Sequence, residues 1–174
     1  MTSPEMLSRQ TQDAYSWLNK LIDPIPYEQW DVLPEVVESS VTWQVGHLVM
    51  SLYYHTVMVI VGHQTDILLQ VPLKEYNELF TVAAPQKVTG RVEAPVLHRH
   101  LLLMQDKSLA VIRSLTTEEL TGPLIPTPVP HPIANTRFEA IDWNIKHTMW
   151  HCGQLGLLKR VVHERFDFGL KIAK

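Results

Sequence analysis

The stretch TRFEAIDWNIKHTMWHCGQLGLLKRVVH, residues 136–163, decides how the rest of the chain is read. Thr136 and Glu139 form a capping box: the hydroxyl accepts from one free main-chain N–H of a helix start and the carboxylate from another. No proline interrupts residues 137–163, so the pattern predicts a helix from Thr136 to about His163. On its wheel Trp143, Trp150, Leu155, Leu157, Leu158, Val161 and Val162 fall within roughly 80° of His147, with Asp142, Lys146 and Arg160 outside that arc. His147 and His151 therefore sit amid the apolar side, one turn apart and within about 40° of each other. That is the spacing by which one helix offers two imidazoles to one metal ion. A purely structural pair would need a carbonyl or a buried water for each ring, and two such rings in one layer strain that account.

Working outward, prolines divide the remainder. They stand at 4, 24, 26, 34, 72, 85 and 95, then crowd as five between Pro123 and Pro132. Since proline breaks a helix interior, the proline-free windows near 5–23, 35–71, 96–122 and 133–174 are the helical ones. The first helix is predicted from a Ser3 cap with Pro4 at its first position, and buries Leu7, Thr11, Ala14, Leu18 and Leu21. The second runs from near Thr42 to Gly62, a suitable left-handed terminator. The third follows Pro95 and buries Leu97, Leu101, Met104, Val111, Ile112 and Leu115. Residues 63–94 make a long link containing a brief helix from Leu73 to Phe80, and Gly122–Pro132 is an extended loop. Strand signals are weak. The predicted fold is all-α, a four-helix bundle with a long crossover between helices two and three, as one domain over 1–174.

Composition narrows the function. The chain has 174 residues, 15 Lys+Arg against 18 Asp+Glu, and a formal charge of -3. That length buries a real core without staples, and 45% hydrophobic residues exclude disorder. Without a basic run there is no nucleic-acid footprint. The apolar run Leu48 to Val61 contains His55 and is too short to span a bilayer, and the first residues lack a signal-peptide plan. A lone cysteine, Cys152, suits a reducing compartment, so a cytoplasmic location without membrane attachment is expected.

Helix two carries a third imidazole. His47 is flanked on its wheel by Trp43, Met50, Ser51, Tyr54 and Met58, a mainly apolar side, and antiparallel packing against helix four would set it opposite His147 and His151. Ser51 and Tyr54 are close enough to His47 to hydrogen-bond a ligand there, and Gln154 is placed to serve around the site or to pin a loop. His55, two turns and roughly 12 Å beyond His47, cannot ligate the same ion. His98 and His100 point to different faces of helix three, while His63, His131 and His163 fall at helix ends or loops where exposure is expected. Cys152 lies roughly 140° from His147 and reads as core filler.

The segments Trp43-Gln-Val-Gly-His47-Leu and His147-Thr-Met-Trp-His151-Cys-Gly-Gln154 together resemble the DinB-like helical-bundle metalloproteins, which include bacillithiol-transferase-like members. The resemblance spans nearly the whole chain, including helix order and crossover. It implies one divalent cation held by His47, His147 and His151. Where relatives often carry Arg between the second histidine and the glycine, this chain has Cys152, which speaks against an anion-holding role for that position.

Neutral ligands leave an ion its full charge, which lowers the pKa of a bound water or thiol. Two enzyme classes are then open: transfer of a low-molecular-weight thiol to a small electrophile, and hydrolysis. A non-catalytic metal or small-molecule binder is the third reading. Three ligands rather than four favour an open site. Imidazole suits zinc or nickel, with iron and copper also accepted. Helix two is apolar almost all round, with Val45, Leu48, Val49, Leu52, Val59 and Ile60 besides the His47 face. If the crossover covers only part of it, a homodimer built on helix two or helix one is expected, as is usual in the family it resembles.

Overall fold

Helix starts follow the side chains able to satisfy the first free N–H groups. In this computed structural model, which describes residues 1–169, helix α1 spans Ser3–Ile22. The final five positions of the domain expected over 1–174 lie outside the described residues. Thr2, not Ser3, is the cap of α1: its hydroxyl accepts from Glu5 N–H and the Glu5 carboxylate accepts from Thr2 N–H at 2.7 Å, which puts Pro4 second in the helix. The glutamate three residues after Thr2 completes a box that a Ser3 cap would lack. Helix α2 spans Val41–Val61, begins under a Ser40 cap and stops at Gly62 with φ 79°. Helix α3 covers Ala94–Ser114 with Pro95 in its first turn, and α4 covers Arg137–Val162 behind the Thr136/Glu139 box. No strand forms among the described residues.

The link between α2 and α3 holds a short helix Thr65–Leu68 and a second one, Leu73–Asn77, that continues as a wider π-type turn through Val82. A similar wide turn, Tyr54–Met58, interrupts α2. Beyond α3, the helical turn Thr117–Leu120 leads into the proline-rich loop.

Helix α1 packs on α3 and α4, and α2 packs on the same two helices. Arg113 late in α3 reaches Ser8 early in α1, and Asn19 pairs with Gln105 in both directions, so these helices run antiparallel. Between them the Tyr15 hydroxyl meets Ser108 at 2.7 Å and accepts from Asn144 at 3.1 Å; burial pushes its pKa up to about 12. The predicted inner faces of α1 and α3 are buried, with Leu115 half-buried.

Helix α2 is covered inside the chain. Val45, Leu48, Val49, Leu52, Val59 and Ile60 are buried in one core with Ile67 and Leu79 of the link, and the apolar window of Val41–Val61 is 72% buried. The apolar arc of α4 is wider than the core that covers it. Leu155 and Leu158 are buried, but Trp150, Leu157 and Val161 are 63%, 57% and 50% exposed. Their expected burial fails because α4 is apolar on more sides than α1 and α2 can face.

Candidate metal centre

Antiparallel packing of α2 on α4 brings His47, His147 and His151 together, one ring nitrogen of each lying within 4.8 Å of the others. Two of the three rings are fixed from behind. The His47 Nδ1–H donates to the Phe80 carbonyl at 2.8 Å. That carbonyl belongs to the last turn before Val82, where helix geometry leaves acceptors without partners. The His151 Nδ1–H donates to Gln44 Oε1, and the Gln44 amide donates to Ser39 Oγ at 2.9 Å and to Gln154 Oε1 at 2.7 Å. Three of the four hydrogen-bonding capacities of this side-chain amide are thus assigned, and together they fix its orientation.

These outer bonds decide the tautomers. With a proton on Nδ1, His47 and His151 each keep a lone pair on Nε2. His147 Nε2 lies 3.0 Å from His151 Nε2. Two imidazole nitrogens sharing a zinc-like ion would stand about 3.3 Å apart for tetrahedral bonds near 2.05 Å, so the pair is already close to a ligating separation. Burial holds all three rings neutral: it depresses His47, takes His147 to about 4 and, with its neighbours' charge, takes His151 to about 3. The donor set therefore fits a divalent metal ion.

Indoles wall the centre. Trp43 stacks on His47 at 5.0 Å and 12°, held by its own N–H to the Ala83 carbonyl, and Trp143 stacks on His147 at 5.8 Å and 11°. Gln154 does not face the triad directly; it acts through Gln44. Ser51 and Tyr54 follow His47 up α2 and line an apolar chamber that begins one turn beyond it. Cys152 is buried, and burial pushes its thiol up to about 12, in line with a filler role.

Two histidines are less peripheral than their positions suggest. His55 stays outside the triad, yet its ring stands 5.6 Å from that of His147 because α4 passes antiparallel alongside. His131, expected to be exposed, is half-buried. Its Nδ1 accepts from the N–H groups of Ile133 and Ala134, so its proton sits on Nε2 and is donated to His55 Nδ1 at 2.7 Å. Tyr27, Tyr53 and Tyr76 take His98, His63 and His100 as partners, away from the triad.

Sequence reasoning missed Gln44 and Phe80. Gln44 left one signal, a polar amide one turn before His47 on an otherwise apolar helix. Nothing local marks Phe80.

The sequence profile of the DinB superfamily matches residues 10–155. No curated protein matches the sequence. Among solved structures, one described as a conserved protein from Enterococcus faecalis superposes with a TM-score of 0.67 over 93% of this chain and 98% of its own, at 17% identity. That likeness is one of fold.

Proposed function

This chain belongs to the DinB superfamily, and from that premise we propose a metal-dependent transferase that joins a low-molecular-weight thiol to a small electrophile at His47, His147 and His151. The supporting observation is the set of three neutral imidazoles with no anionic ligand grouped with them among the described residues. An ion bound there would supply undiminished positive charge, which favours the ionised form of a thiol at neutral pH. The sulfur would form a bond to the electrophilic carbon, its proton would pass to solvent, and the displaced group would depart with its bonding pair. Zinc or nickel suits the ligand set best, while iron and copper are also compatible.

The chain's own residues divide the work. Phe80 and Gln44 hold two imidazoles in the ligating tautomer, and Trp43 and Trp143 exclude water from the ring faces. Ser51 and Tyr54 orient the incoming molecule, and Gln154 steadies Gln44.

The test is a panel of small thiols with alkyl and aryl electrophiles, and activated esters alongside, on zinc-loaded protein and its His151→Ala variant. Triad-dependent thiol consumption supports the reading. Triad-dependent ester cleavage without thiol consumption would replace it with a hydrolase. Zinc binding with no turnover across the panel would make the protein a binder.

A further inference from the structure

A chamber of about 790 Å³, within the size range of small-molecule sites, opens along α2 beyond His47, with none of the three ligand histidines in its lining. It starts one turn beyond His47 at Met50 and Ser51 and continues past Tyr54 to Met58. Both wide helical turns border it: Tyr54 and Met58 belong to the one in α2, and Thr81 to the one whose Phe80 carbonyl holds His47. Such turns re-aim side chains at a cost in helix stability and concentrate at functional sites.

The outer wall is the proline-rich loop, through Thr127, Pro128 and Val129. This loop is tied down. His131 bonds to His55 at 2.7 Å and stacks on Tyr54 at 5.3 Å with an interplanar angle of 1°. The loop, the second histidine pair and the wide turn in α2 are thus parts of one wall.

We propose that this chamber seats the electrophile, and that the electrophile is a flat apolar molecule with one anionic end, its reactive end toward Ser51 and His47 and its charge toward Lys74. The inference rests on the transferase reading of the neighbouring triad. Methionine thioethers and tyrosine rings make a deformable apolar surface suited to flat rings. No carboxylate lines the chamber among the described residues; Glu75 and Glu78 border an adjoining groove that shares Leu68, Leu73 and Lys74 with it. Lys74 lines it and makes no ion pair among the described residues. Six residues before Phe80, it lies roughly 9 Å along that helix from the end that touches His47. A ligand spanning that length holds two or three fused or linked rings.

The experiment uses zinc-loaded full-length protein and two fluorescent probes, 8-anilinonaphthalene-1-sulfonate and its uncharged counterpart N-phenyl-1-naphthylamine. Each is expected to bind once per chain, with near-ultraviolet circular dichroism showing native packing. Met58→Trp fills the chamber and should weaken both probes by about tenfold or more, equivalent to ~1.4 kcal/mol. Val129→Trp, in an exposed loop, does the same without altering a helical residue. Lys74→Gln should weaken the sulfonate alone. His151→Ala should lose zinc and keep both probes, so failure of the metal reading is seen separately. Probe binding unaffected by both tryptophan variants would overturn the chamber assignment, and equal weakening of both probes by Lys74→Gln would overturn the anionic end.

Discussion

The ring of Phe80 rests on the α-carbon of Gly46: a β-carbon built at Gly46 would fall 2.4 Å from Phe80 Cγ and Cδ1. The main-chain carbonyl of the same phenylalanine accepts from His47, the next residue. The glycine before the ligand histidine thus admits the group that orients that histidine. Packing and ligand geometry meet at one contact.

Replacing Gly46 by alanine sets two effects against each other. Helix propensity favours alanine by about 1 kcal/mol, while overpacking costs about 1–3 kcal/mol. Phe80 is fully buried and the contact falls at the root of its ring, so it cannot swing aside cheaply and overpacking wins. Gly46→Ala is expected to lower the melting temperature and weaken zinc binding together. Gly156→Ala, where a β-carbon meets nothing within 4 Å, keeps only the propensity gain and should raise the melting temperature. Equal behaviour of the two variants would refute the contact's role.

Gln44→Leu removes the acceptor of the His151 Nδ1–H and frees that ring to rotate or change tautomer. Loss of such an outer partner typically costs 10–100-fold in metal affinity, and about that loss is expected in a competitive zinc titration. Gln154→Ala deprives Gln44 of one acceptor but leaves the bond to His151 intact, so its effect should be several-fold smaller. A larger effect at Gln154 than at Gln44 would reverse this order of action.

The features of this centre legible in the sequence were local. The Thr136/Glu139 box, the His147/His151 spacing and the Gly62 stop each lie within one or two helical turns, where periodicity and capping act. The partners that orient the ligands are 33 and 107 residues away along the chain, and the bond tying down His131 spans 76. A carbonyl carries no residue-type signal at all, so Phe80 was invisible. The outward turn of Trp150 and Leu157 was equally hidden, because a wheel locates an apolar arc but not the neighbours that cover it.

Burial makes the histidine cluster sensitive to acid. His55 and His151 are depressed to about 3 and His147 to about 4, chiefly by desolvation, against ~6.5 in an unfolded chain. Below pH ~6.5 the unfolded state therefore binds more protons than the native one, and stability falls as pH drops toward these folded values. His47, His100 and His131 are depressed in the same direction and add to the slope. Metal-stripped protein should hold a constant melting temperature above neutrality and lose it steadily from pH 6 to 4. Because the rings stay neutral in the folded state, zinc should still bind near pH 5.5, where ordinary histidines are mostly protonated. A melting temperature independent of pH across that window would contradict the burial of these rings.

Pairing of two chains is expected through α4. The apolar girdle of α2 that suggested an interface is covered within the chain, which removes it as the reason to associate. One run of apolar surface left open on α4 is the stripe of Trp150, Leu157 and Val161, successive on one side of the helix and spanning ~16 Å. Gly153 lies between them with open space over its α-carbon, so a second helix can approach closely there. Contiguous exposed apolar surface of this kind marks an interface, and a two-fold axis through the stripe would cover it with its own copy. Sedimentation equilibrium at micromolar concentration should give twice the chain mass of 20.0 kDa. The Leu157→Glu variant places a carboxylate in the middle of that contact and should sediment as one chain, with helical content and zinc stoichiometry unchanged, because neither residue 157 nor its neighbours touch the triad. A single-chain mass for the unaltered protein would rule out pairing, and a Leu157→Glu variant that still pairs would move the interface off α4.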